Sequence, residues 1–177
     1  MKQILLPLAA VAVIITILGV LSKYPNSSKE ALQNPSGFIN TAVETNVYKK
    51  KEIKIGDKSM LVEVVDTPEA RNNGLSGRDG LEGNQGMLFV FEVQDINPGF
   101  WMKDMKFPID IIWINDGKVS QISKEVPAPE PDTPDRSLPI YTPKSEIDYV
   151  LEVSAGFSDK NGISVGDAVE LSAALGK

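Results

Sequence analysis

The chain has 177 residues, 42% hydrophobic and 24% charged, with a formal net charge of −6, enough for one domain with its own core. It contains neither Cys nor His, which excludes disulfides, thiolate or imidazole zinc sites, Cys nucleophiles and every catalytic set built on an imidazole base. Residues 51–177 carry −9 while residues 1–50 carry +3; an acidic domain repels phosphate backbones, so nucleic acid is not an expected partner.

The first element is an 18-residue apolar run, Ile4 to Leu21, preceded by Lys2. Its length suits a transmembrane anchor, and the residues before Ser22 make a poor signal-peptidase site, so residues 1–21 are read as an anchor in preference to a cleaved signal peptide. The expected location is therefore at the membrane with the domain outside the cytoplasm, or secreted if the segment is cleaved. Residues 22–46 are rich in Ser, Asn and Pro without a period and read as a flexible tether. The domain proper is expected at residues 47–177.

Within it, Lys51 to Val65 reads as a hairpin turning at Gly56-Asp57-Lys58. Asp66-Thr67-Pro68-Glu69 starts a short helix, with Thr67 as cap and Pro68 at the first helical position; Gly74 and Gly77 end it. Gly86 to Phe91 is a continuous apolar run and predicts a central strand. Phe100 to Lys106 is read as extended. Ile109 to Asn115 pairs with Lys118 to Ser123 across Asp116-Gly117. Val126 to Pro143 holds six of the chain's 12 prolines and cannot be a central strand; a loop this long is functional or disordered as a rule. Ile147 to Val153 and Ala168 to Ser172 complete the strands. The pattern predicts a mainly β single domain, a compact sandwich or barrel of about seven or more short strands with one short helix.

Six residues are candidates for a ligand site: Arg78, Trp101, Lys103, Asp104, Asp110 and Glu152. Asp110 heads a strand that is apolar on both faces, so it is read as buried and in need of partners. It either holds the adjacent turn by accepting backbone N–H groups or a salt bridge from Lys103 or Arg78, or it sits in a pocket; the structural role is preferred. Glu152 shares a strand face with Asp148 and Val150, and that face reads as solvated. If Asp110 and Glu152 converge, the two carboxylates could perform acid–base work on a glycoside-like bond or hold a hard cation. Trp101 and Lys103 share a face if the segment is extended, which would place an aromatic ring beside a cation. Arg78 could bind an anion or pair with a local acid. No phosphate-loop, dinucleotide or EF-hand spacing occurs, and neither cofactor nor metal is expected.

The ordered pieces Asp66-Thr67-Pro68-Glu69-Ala70-Arg71, Gly74-Leu75-Ser76-Gly77-Arg78, Gly86-Met87-Leu88-Phe89, Phe100-Trp101-Met102-Lys103, Pro108-Ile109-Asp110, Val150-Leu151-Glu152, Gly162-Ile163 and Gly166-Asp167 resemble the family known as domain of unknown function 192, over about residues 51–172. The resemblance implies a mainly β domain, commonly exported or anchored, with no established activity, and it is what gives Glu152 weight beyond its strand position. Members often carry Asn-Thr where this chain has Asp104-Met105; if that pair served a ligand, this chain would offer a carboxylate in place of an amide.

The expected function is that of an extracytoplasmic binding module of the cell envelope for a small ligand, glycan or protein partner, with enzymatic activity left open as the less favoured reading. A carboxylate-dependent hydrolase acting on envelope glycans and a structural domain without ligand are the alternatives.

Overall fold

The computed structural model describes residues 48–175. The anchor and tether expected over residues 1–46 lie outside these. No helix of the described residues is long and apolar enough to cross a membrane.

Seven strands form one sheet: β1 Lys49–Ile55, β2 Lys58–Val65, β3 Gln85–Val90, β4 Ile109–Asn115, β5 Lys118–Val126, β6 Tyr149–Ser154 and β7 Val169–Glu170. Their order across the sheet is β5-β4-β6-β3-β2-β1-β7. The sheet curls until its ends almost meet. Lys118 at the start of β5 bridges Ala168 beside β7. The seam is held by Val119 N–H to Asp167 O (2.9 Å), Gly166 N–H to Val119 O (2.8 Å) and Val169 N–H to Gly117 O (2.8 Å). Of the two expected architectures the nearly closed barrel is therefore the one adopted, and closure removes most of the unpaired strand edge.

The hairpins β1–β2 and β4–β5 form as the turn residues predict. The connection from β2 to β3 reverses direction and returns parallel, which requires a crossover. That crossover carries helix α1, Pro68–Asn73. Thr67 caps it, its Oγ1 accepting Ala70 N–H at 3.2 Å, and Gly74 ends it at φ 48° with its N–H on Ala70 O. Two shorter helices, α2 Phe157–Asn161 and α3 Ser172–Leu175, follow β6 and β7. The expected strand over Ala168 to Ser172 thus shrinks to two residues before the chain turns helical.

Both faces of the sheet are buried, which is why β3 and β4 read as unbroken apolar runs. Ile53, Val62, Leu88, Ile112, Leu151 and Val153 fill the barrel interior together with Phe157 and Ile163. Phe89, Ile111, Trp113 and Val150 form an outer core, covered by Leu75, Met102 and Met105 from the loops.

The segment Phe100 to Lys106 is not a strand. Only Phe100 pairs, with Tyr141 of the proline-rich loop (2.9 and 2.7 Å). The chain then turns, Met105 N–H reaching Met102 O at 3.2 Å, so that both methionines enter the outer core. Burying both breaks the alternation that an extended segment would keep. The proline-rich loop is pinned over the same core by the Phe100–Tyr141 pair, a Lys103–Asp135 ion pair (2.6 Å) and buried Leu138.

Candidate functional site

A cleft of about 350 Å³ opens on the outer face of the barrel, between the exit of α1 and the loop Pro98–Trp101. Its walls include Phe89, Phe91, Phe100 and Trp101, and Glu152 lines its base. Each lining residue arrives for a local reason. Phe89 and Glu152 project outward from the paired strands β3 and β6, where Phe89 faces Val150 and Met87 faces Glu152. Phe100 is wedged edge-on between Phe89 (5.0 Å) and Trp113 (5.6 Å). Trp101, next along, keeps 42% of its surface exposed. Gly74 brings the α1 exit close: a Cβ there would stand 3.4 Å from the Phe89 ring.

Glu152 is 6% exposed. No hydrogen bond or ion pair reaches its carboxyl from the described residues, and burial alone pushes it up to about 8. At neutral pH the group therefore keeps its proton, as an acid does when desolvation outweighs every compensating charge. Arg71 is the other charged residue of the lining. Its guanidinium donates to Asp66 O (3.0 Å) and Val90 O (2.9 Å), lies 5.5 Å from the Phe91 ring centroid and stands 3.9 Å from Glu92.

Asp110 is elsewhere. It points into the barrel end, fully buried, and accepts three backbone N–H groups: Glu125 (2.9 Å) and Gly156 (3.1 Å) on Oδ1, Ser158 (3.0 Å) on Oδ2. The reason is a β-bulge. Ile109 pairs with Val126 and Ile111 with Ser123, so two residues of β5 oppose Asp110, and Glu125 takes φ 50°. A bulge frees an N–H, and Asp110 satisfies it while binding the first turn of α2. The preferred structural role holds, but its partners are amides; neither Lys103 nor Arg78 reaches it.

Asp110 pairs across the ladder with Val153, and Ile111 with Glu152. Neighbouring positions on a strand face opposite ways, so the two carboxylates lie on opposite faces of the sheet. The acid–base pair required by the hydrolase reading does not form. Glu152 and Asp148 also depart from the expected solvated face, because the covering loops bury both. Asp148 accepts the N–H groups of Asp116 (2.9 Å) and Asp95 (3.4 Å).

Of the other candidates, Arg78 pairs with Glu63 at 2.6 Å and lies 5.8 Å from the Tyr48 ring centroid, away from the cleft. Lys103 turns to Asp135 (2.6 Å) and Asp104 (3.6 Å), not to Trp101. Asp104 has φ 57°, a conformation that Asn and Asp tolerate better than other side chains; turn geometry accounts for an Asp here without a ligand. It borders a second cavity of about 500 Å³ under the proline-rich loop. Among the described residues no group of three or more acidic side chains could hold a metal ion. The site thus joins Trp101 and Glu152. Sequence reasoning missed the contributions of Phe89 and Phe91, whose apolar run looks the same whether it feeds a core or a cleft.

The barrel is similar to a proposed transcription regulator from Sinorhizobium meliloti 1021, with 27% identity, a TM-score of 0.62, and coverage of 70% of this chain and 94% of that one. It also resembles a protein of unknown function from Novosphingobium aromaticivorans DSM 12444, with 24% identity, a TM-score of 0.62, and coverage of 72% and 89%; at that identity the likeness concerns the fold alone. No curated protein matches the chain. A family profile described as Uncharacterized ACR matches residues 50–171, nearly the whole described barrel, and the chain belongs to that family, domain of unknown function 192.

Proposed function

We propose that this chain is a ligand-binding barrel, held outside the cytoplasm by its N-terminal apolar segment, that takes a small ligand or a partner's side chain in the Trp101–Glu152 cleft. One observation carries the reading. Among the described residues nothing pairs with the carboxyl of Glu152, a buried side chain in the cleft that Trp101 lines. Buried polar groups in folded proteins are nearly always satisfied, and an unpaired one in a pocket marks a functional site more often than an ordinary core position. The absence of Cys and His, and the separation of Asp110 from Glu152, favour binding over hydrolysis. The charge of −9 on residues 51–177 disfavours nucleic acid as the ligand.

The test is thermal unfolding of the full chain against sugars, cell-wall fragments, short peptides and small amines. A ligand at 100 times its dissociation constant adds about 2.7 kcal/mol, and each kcal/mol moves the midpoint by roughly 2–8 °C. The expected result is a shift that Trp101→Ala abolishes. A shift indifferent to Trp101→Ala would move the site away from this cleft. The location is tested by protease accessibility of the domain in intact cells, where protection would contradict display outside the cytoplasm.

A further inference from the structure

We infer that the Trp101–Glu152 cleft recognises an organic ammonium group, set against the Trp101 ring with the Glu152 carboxylate as its counter-ion. The inference rests on the reading of this cleft as a binding site and names the ligand class.

The lining decides between ligand chemistries. A sugar-like ligand needs several convergent donors and acceptors around its hydroxyls. Arg71 is committed to two carbonyls and Ser76 Oγ to Lys103 O at 2.8 Å, which leaves the exposed amides of Asn72 and Asn73 as the polar side chains that a sugar would meet besides Glu152. The accessible aromatic surface is chiefly that of Trp101, because Phe89 is buried and Arg71 already lies over Phe91, and one buried carboxyl lines the same cleft. A cation gains from both components, since ammonium groups are attracted to ring faces and most strongly where water is excluded. The cleft already shows the tendency in Arg71, whose guanidinium lies over Phe91. The volume of about 350 Å³ suits a headgroup better than an extended chain.

The groups around Glu152 leave the counter-ion role open. The cross-strand neighbours are Met87 on β3 and Ile111 on β4, neither titratable. The loop contributes Phe100, Trp101 and Met105, all uncharged, and α1 contributes Arg71, which Glu92 faces from the other side. An incoming ammonium is therefore the partner that makes ionisation of Glu152 favourable, and its binding releases the carboxyl proton to solvent. Affinity for a permanently charged ligand then rises with pH, roughly tenfold per unit while Glu152 starts protonated.

The experiment is titration of the full chain with choline and with 3,3-dimethylbutan-1-ol, its neutral isostere of nearly equal shape, from about pH 6 to about pH 9. Choline is expected to bind more tightly as pH rises, at least tenfold better than the isostere at the alkaline end. Glu152→Gln is expected to fold, to bind choline at least tenfold more weakly and to lose the pH dependence. Equal binding of the two compounds, or choline affinity that ignores pH and Glu152→Gln, would overturn the ammonium assignment and leave the cleft as a site for neutral ligands. If neither compound binds and the sugar and peptide panel also gives no shift, the cleft is not a binding site and both readings fall.

Discussion

Asp110 and Glu152 sit one ladder step apart on neighbouring strands and face opposite sides of the sheet, the first sealed by three amide donors, the second in a cleft and unpaired among the described residues. Two carboxyls of similar burial therefore do different work. One holds a bulge and a helix start in place, and the other lines a cleft.

Glu152 makes stability depend on pH in an unusual direction. Folding raises its pKa from 4.5 to about 8, so across that window the folded chain keeps a proton that the unfolded chain has lost. Its contribution is fully present below the unfolded value and is lost as pH rises through the folded one, by about 1.4 kcal/mol per unit at most. Denaturant melts of wild type and Glu152→Gln between about pH 5 and pH 9 are expected to diverge, with the variant more stable at the alkaline end. Parallel profiles would mean that the carboxyl is solvated.

Asp110→Ala is expected to cost about 3 kcal/mol or more, because it strands the N–H groups of Glu125, Gly156 and Ser158 in a buried niche. Asp110→Asn keeps the volume but turns an amide donor toward one of those N–H groups, and should be intermediate. Equilibrium unfolding checks the order; a loss below about 0.5 kcal/mol for the Ala variant would contradict the niche.

Gly86 is a packing requirement. A Cβ there would meet Glu152 O at 2.9 Å, with Leu151 Cδ1 and Met60 Cε both at 3.0 Å. Backbone cannot step aside as a side chain can, so Gly86→Ala should destabilise by about 1–3 kcal/mol. Unchanged stability would show that the β3–β6 pair is looser than described.

Trp101→Ala separates binding from folding. With 42% of its surface exposed, Trp101 should contribute no more than about 1 kcal/mol to stability while its loss removes ligand stabilisation. A large drop in unfolding midpoint without ligand would assign Trp101 to the core.

The fold was largely legible in sequence because its signals are local. Asp116-Gly117 and Gly56-Asp57 specify turns, Thr67-Pro68 a helix start, and the runs at Met87 and Ile111 strands buried on both faces. Signals that depend on the rest of the chain were not legible. Alternation carried Phe100 to Lys106 as a strand, although burial of Met102 and Met105 together forces a turn. Asp148 and Glu152 read as solvated because the loops that cover them come from distant sequence. Asp110 was readable as buried, since both faces of its strand are apolar, yet its three donors come from two separate segments. Trp101 and Glu152 were each nominated, but their meeting in one cleft depends on the α1 exit and the 98–101 loop, which no spacing reveals.

The most direct measurement compares the two carboxyls in one experiment: the ligand-induced rise in unfolding midpoint for the full chain, for Asp110→Asn and for Glu152→Gln. The rise is expected to survive in folded Asp110→Asn and to be lost in Glu152→Gln. A rise that survives in Glu152→Gln and disappears in Asp110→Asn would contradict it, and would return the site to the barrel end.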